Sequence, residues 1–163
     1  SPVCIKHWNL LDSTITSSPN LQSFKKILLT FIRPKGNSLS SIHDRTGFRL
    51  LTQVRVTFSD LTDHRFNHSF NCNSPLCVCG LADETSEHFF LSCPRFTLQR
   101  QHLLNKVSNI VRSDVTILPH DHLCFLLLYG SNVYNSITND NIINESISFI
   151  KHTHRFDNLE AFS

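Results

Sequence analysis

Four residues in one short window constrain this chain more than any other feature: Cys77, Cys79, His88 and Cys93, spaced C-x-C-x8-H-x4-C. Zinc takes four tetrahedral ligands from thiolate and imidazole, with metal–sulfur distances of about 2.3 Å, and two close pairs joined by a short loop are the usual way to supply them. Cys77 and Cys79 make one pair on a tight turn. Gly80 just after them relieves the crowding of a chain bending round an ion. His88 and Cys93 make the other pair, near the end of a short helix that Pro94 terminates. The expected cofactor is Zn2+. The first pair is tighter than the common C-x2-C, and two other readings stand beside zinc. Cys77, Cys79 and Cys93 could be small core residues with His88 a hydrogen-bonded surface group, or two of the thiols could form a disulfide. Cys72 is an alternative ligand in the place of Cys77.

A chain this long does not depend on such a staple. Its 163 residues, 40% of them apolar, suffice to bury a core. Charged residues make up only 17% and phenylalanines number 13, which excludes disorder over the whole length. The even number of cysteines, 6, invites a disulfide framework. The first residues, Ser1-Pro2-Val3-Cys4, lack the pattern of a secretory signal, so clustered cysteines favour metal. The isolated Cys4 and Cys124 read as ordinary buried thiols. The longest apolar run, Leu123 to Tyr129, is far too short to span a bilayer. No membrane partner is expected, and the expected location is intracellular, nuclear and/or cytoplasmic. The sequence has no methionine. It is expected to be a fragment or one piece of a longer product.

Hydrophobic spacing predicts helices and nothing else. Ser18-Pro19 starts one, with Leu21, Phe24, Ile27, Leu28, Phe31 and Ile32 as its stripe. A second is predicted from Gly47 to about Asp60, with Phe48, Leu51, Val54 and Phe58 facing inward and Arg49 and Arg55 pointing elsewhere. A short helical turn follows from Thr62 to Phe70. Thr85 opens the helix that Pro94 interrupts. Helix resumes through Phe96, Leu103, Val107 and Val111, until Pro119 breaks it. His120–Tyr129 reads as a buried helix stopped by Gly130. The last runs from about Asn139 to Thr153. No segment alternates with a period of two, so the fold class is all-α: several short helices around a small zinc-knuckle loop. The predicted division is an irregular lead-in at 1–20, a basic helical segment at 21–70, the knuckle and following helix at 71–112, and a C-terminal helical segment at 113–163.

The net charge of +2 hides an asymmetry. Between Leu21 and Phe58 seven basic residues face one acid, Asp44, for a net +6; from Ser59 onward the net is −4. The basic run is either a solvated helix surface or a phosphate-facing one. On the second reading Lys25, Lys26, Arg33 and Lys35 are candidate phosphate contacts, with Arg95 and Arg100 after the knuckle. Phe89, Phe90 and Phe96 could stack on bases or could be core. His64 and His68, four apart, could chelate a second ion, but solvated helix histidines are the simpler reading. The same holds for His120-Asp121-His122 and for His152 with His154. No phosphate-cradling glycine loop, dinucleotide fingerprint or nucleophile elbow occurs. A two-metal nucleotidyl-transfer site needs clustered aspartates, and none are present. The chain is therefore not expected to be an enzyme.

A longer series of motifs then becomes visible. Trp8-Asn9-Leu10-Leu11 and Leu21-Gln22-Ser23-Phe24-Lys25-Lys26 are followed by Ile32-Arg33-Pro34, Leu50-Leu51-Thr52-Gln53-Val54-Arg55 and Phe58-Ser59-Asp60-Leu61 with His64-Arg65-Phe66. Next come Asn73-Ser74-Pro75-Leu76-Cys77-Val78-Cys79-Gly80 and Glu84-Thr85-Ser86-Glu87-His88-Phe89-Phe90-Leu91-Ser92-Cys93-Pro94. Leu127-Leu128-Tyr129-Gly130 and Arg155-Phe156-Asp157 close the series. In this order they resemble the region that follows the polymerase domain in non-LTR (LINE-type) retrotransposon reverse transcriptases, including its CCHC zinc knuckle. The resemblance spans nearly the whole chain. Gln53 departs from the arginine common there, and Val56-Thr57 from a small residue or glycine. The resemblance implies a knuckle of Cys77, Cys79, His88 and Cys93, an upstream polymerase domain in the same polyprotein, and contact with template RNA or target DNA. It also implies that the catalytic aspartates lie outside this chain. The alternative is a zinc-stapled structural or protein-interaction domain without nucleic-acid binding. A metal-dependent hydrolase is a third possibility.

Overall fold

Asp44 opens the first helix of the structure, a computed structural model that describes residues 44–157. The predicted lead-in and first helix, and with them Lys25, Lys26, Arg33 and Lys35, lie outside the described residues. The Asp44 carboxylate accepts from the Gly47 amide at 2.9 Å, capping helix α1, Arg45–Arg55. α1 turns Gly47, Leu50, Leu51 and Val54 inward. It ends sooner than the apolar spacing suggested. Val56 caps it and Thr57 takes a left-handed φ of 56°, so the chain turns away and leaves Phe58 half exposed instead of in the stripe.

Helix α2, Thr62–Asn67, is also shorter than predicted. After the cysteine loop, a π-helical turn at His88–Ser92 and a 3-10 turn at Pro94–Phe96 lead into α3, Thr97–Val111. Arg112, left-handed at φ 56°, ends α3. A 3-10 turn at Val115–Ile117 precedes α4, His120–Tyr129, whose bounds match the sequence reading because Pro119 and Gly130 bracket it. α5, Ser136–His152, starts earlier than its apolar pattern, because the Asn135 side chain accepts from the Thr138 amide at 2.8 Å. Asn139, expected at the helix start, is instead buried in its first turns. Its amide donates to Ser131 and Tyr134 carbonyls and its oxygen accepts from the Ser131 amide, tying down the preceding loop.

α5 is the hub of the fold, packing on α1, α3 and α4. Its Ile142, Ile143, Ile147 and Ile150 meet Leu51, Val107 and Leu127 in one continuous core. Each such side chain contributes about 1.5–3 kcal/mol on burial. α1 crosses α5 at Gly47, where an added Cβ would collide with Ile147 Cγ2. The Ser146 hydroxyl, buried on α5, donates to the Leu127 carbonyl at 2.7 Å and fixes α4 against it. At the other end, the Lys151 ammonium reaches the Asp44 carboxylate at 2.7 Å. Among the described residues the fold is all-helical, with no strand; a single antiparallel bridge pairs Leu76 with Asp83. None of the described helices is long and apolar enough to cross a membrane.

Candidate metal centre

The bridge between Leu76 and Asp83 closes the loop that carries the first two thiols. The Cys77 amide donates to the Ala82 carbonyl at 2.8 Å, and the Gly80 amide returns to the Cys77 carbonyl at 2.8 Å. Gly80 sits at φ +76°, a conformation that costs a residue with a Cβ but not glycine. This turn points Cys77 and Cys79 the same way.

The second pair needs a different device. Five residues along an α-helix are offset by about 140°, so side chains at that spacing diverge. Here the helix opens at Thr85, whose hydroxyl accepts from the His88 amide at 3.1 Å, and then widens into the π turn. The Cys93 amide donates to the His88 carbonyl at 2.7 Å. The wider turn brings residues five apart onto one side, and such turns are frequent at functional sites. Pro94 then prevents further helix of that kind.

The four side chains converge. Their ligand atoms all lie within 4.8 Å of one another. Cys77 Sγ and Cys93 Sγ are 3.8 Å apart, and Cys79 Sγ is 3.2 Å from His88 Nε2. A tetrahedron with metal–sulfur bonds of about 2.3 Å has edges of about 3.8 Å. The three thiols and one imidazole thus stand at metal-ligand spacing, and all three cysteines are free, Cys77 and Cys93 Sγ being far beyond a disulfide bond of about 2.05 Å. Burial pushes the Cys77 thiol up to about 12, and a bound cation would offset this by stabilising the thiolate. The Leu81 amide holds the Cys79 thiol below its usual range. Burial lowers the His88 imidazole, favouring the neutral ring that ligates. The donor set is that of a structural Zn2+ site, and four protein ligands leave no open position on the ion.

No family model, curated protein or solved structure matches this chain. Its described residues form an all-helical domain with a Cys/Cys/His/Cys cluster resembling a zinc knuckle.

The other candidate residues fall into place differently. Cys72 stands apart from the cluster, its Sγ 3.0 Å from the Ser74 carbonyl. Arg100 is half-buried, and its guanidinium donates to the Cys93 carbonyl at 3.0 Å, so it braces the knuckle. Arg95 is exposed, its guanidinium over the Phe96 ring. Phe89, Phe90 and Phe96 are core, packed edge to face, and have no free face for bases. Arg49 is exposed as expected. Arg55 is not: it is buried between the Phe48 and Tyr129 rings, and its Nε donates to the Leu128 carbonyl. His64 is likewise no solvated histidine. It is buried, with Nδ1 2.8 Å from the Ser59 hydroxyl and Nε2 3.4 Å from the Ser86 hydroxyl, and burial lowers it to about 4. His68, His120, His122, His152 and His154 are exposed.

Sequence reasoning missed one partnership at the site. Glu84 is fully buried beside Cys77, and Arg155 pairs with both of its oxygens, at 2.7 and 2.6 Å. Burial alone would raise the Glu84 carboxyl, but Arg155 and the Thr62 amide outweigh it and hold it below the usual carboxylate range. Two residues so far apart in the chain leave no periodic signal to read.

Proposed function

We propose that this chain is a zinc-stapled structural or protein-interaction domain without catalytic activity. One observation carries this: the buried and half-buried arginines are consumed internally. Arg100 is spent on the Cys93 backbone, Arg155 on Glu84 and Arg55 on the Leu128 backbone. The closed ligand set supports a staple rather than a reactive centre. Filter binding of RNA and duplex DNA to the full chain at low salt tests this. Retention of neither is the expected result, and salt-dependent binding overturns it.

The +6 charge of residues 21–58 favours a second reading, in which the domain contacts template RNA or target DNA. On it, the chain is the non-catalytic tail of a reverse-transcriptase-like protein and works beside a polymerase domain. The motif series and the exposed Arg45, Arg49 and Arg95 support it. Affinity would then fall by about 0.9 logarithmic units per tenfold salt for each duplex phosphate neutralised. Replacing Lys25, Lys26 and Lys35 together by alanine would weaken binding to all sequences alike and flatten that slope.

A further inference from the structure

We propose that Glu84 and Arg155 are a positioning pair for the metal centre, linking metal affinity to the docking of the turn at residues 153–157. This deepens the zinc reading above and rests on it. The Glu84 carboxylate is a junction of three segments. Oε1 accepts from Arg155 Nε at 2.7 Å and lies 3.9 Å from Cys77 Sγ. Oε2 accepts from Arg155 Nη2 at 2.6 Å and from the Thr62 amide at 2.8 Å. The Thr62 hydroxyl in turn donates to the Pro75 and Leu76 carbonyls, the two residues leading into Cys77. Arg155 Nη2 also donates to the Asp60 carbonyl at 2.7 Å.

The same turn reaches the other half of the ligand set. Phe156 is buried, its ring centroid 5.6 Å from that of Phe89, which follows the ligand His88 directly. Residues 153–157 therefore hold the Cys77 loop through a guanidinium and the His88 turn through a ring. A planar guanidinium matches both carboxylate oxygens at once, and an ammonium cannot. Because coupling between two equilibria is reciprocal, whatever factor the docked turn adds to metal affinity, bound metal adds to docking of the turn.

The test uses the full chain, with zinc affinity measured by competition against a chelator and amide hydrogen exchange followed at 153–157 with and without zinc. Arg155→Lys and Glu84→Gln are expected to raise the zinc dissociation constant about 10- to 100-fold, the usual loss for a group supporting a metal ligand. Ile143→Val, a core truncation on α5, controls for general destabilisation and is expected to leave the constant unchanged. In the wild type, zinc removal should speed exchange at 153–157; in Arg155→Lys, exchange there should be fast in either state. Should Glu84→Gln fail to fold, Arg155→Lys, which keeps the charge, decides. Wild-type affinity in folded Arg155→Lys overturns the proposal, as does equal weakening by Ile143→Val or unchanged exchange at 153–157. A wild type that binds no zinc removes the metal centre itself, a distinct failure.

Discussion

The guanidinium of Arg100 donates to the backbone carbonyl of Cys93 at 3.0 Å, so the first turn of α3 grips the last ligand of the metal cluster. That contact makes Arg100 part of the brace around the ligand cluster. Arg100→Ala should cost about 1.5–3 kcal/mol, as expected for one hydrogen bond from a charged donor. Arg95→Ala should change stability by less than about 0.5 kcal/mol, since Arg95 lies on the surface. Urea denaturation of the zinc-loaded chain checks both. Equal effects would mean that the Arg100 contact adds nothing.

The purified chain should carry one zinc ion. Cobalt exchanged into it should show thiolate charge-transfer absorption, as three sulfur ligands require. Cys93→Ser removes a buried ligand and should lower the melting temperature by an amount that chelation of the wild type reproduces. Elemental analysis showing no zinc in protein purified without chelator would contradict the site.

His64 makes stability depend on pH. Its folded value is near 4 because burial disfavours the charged ring, whereas an unfolded histidine titrates near 6.5. Between those values the unfolded chain binds the extra proton, so stability is complete above pH 6.5 and falls as pH drops toward 4. The loss amounts to about 3 kcal/mol. Protonation of the zinc ligands acts in the same direction, so the informative quantity is the difference from His64→Gln at fixed free zinc. That variant should show a shallower slope across the window. Parallel profiles would show that His64 does not titrate in this way.

Gly47→Ala should destabilise the domain by about 1–3 kcal/mol, although alanine is the better helix former. Its Cβ would collide with Ile147 Cγ2 where α1 crosses α5. Pairing it with Ile147→Ala, which removes the opposing Cγ2, should recover part of the loss in a double-mutant cycle. Simple additivity would show that the two helices do not meet there.

The sequence by itself determined what is local. Zinc demands donors at short spacings, so Cys77, Cys79, His88 and Cys93 could be read as a cluster without a structure. Helix α4 was legible to the residue because Pro119 and Gly130 terminate it from within the chain. The all-helical class followed from spacing alone. Tertiary structure decided the rest. Phe89, Phe90 and Phe96 could have been a stacking surface, and became core only because Phe149 and Phe156 arrive from the far end of the chain to cover Phe89. His64 reads as a surface histidine on a short polar helix, until folding buries it between the Ser59 and Ser86 hydroxyls. Arg55, Arg100 and Arg155 look alike in the sequence as free cations; each took its role from a carbonyl or carboxylate that only folding brings near. A charge is neutralised by whatever lies within a few ångströms, and for a buried arginine that partner is chosen by the packing of helices, not by its neighbours in the chain.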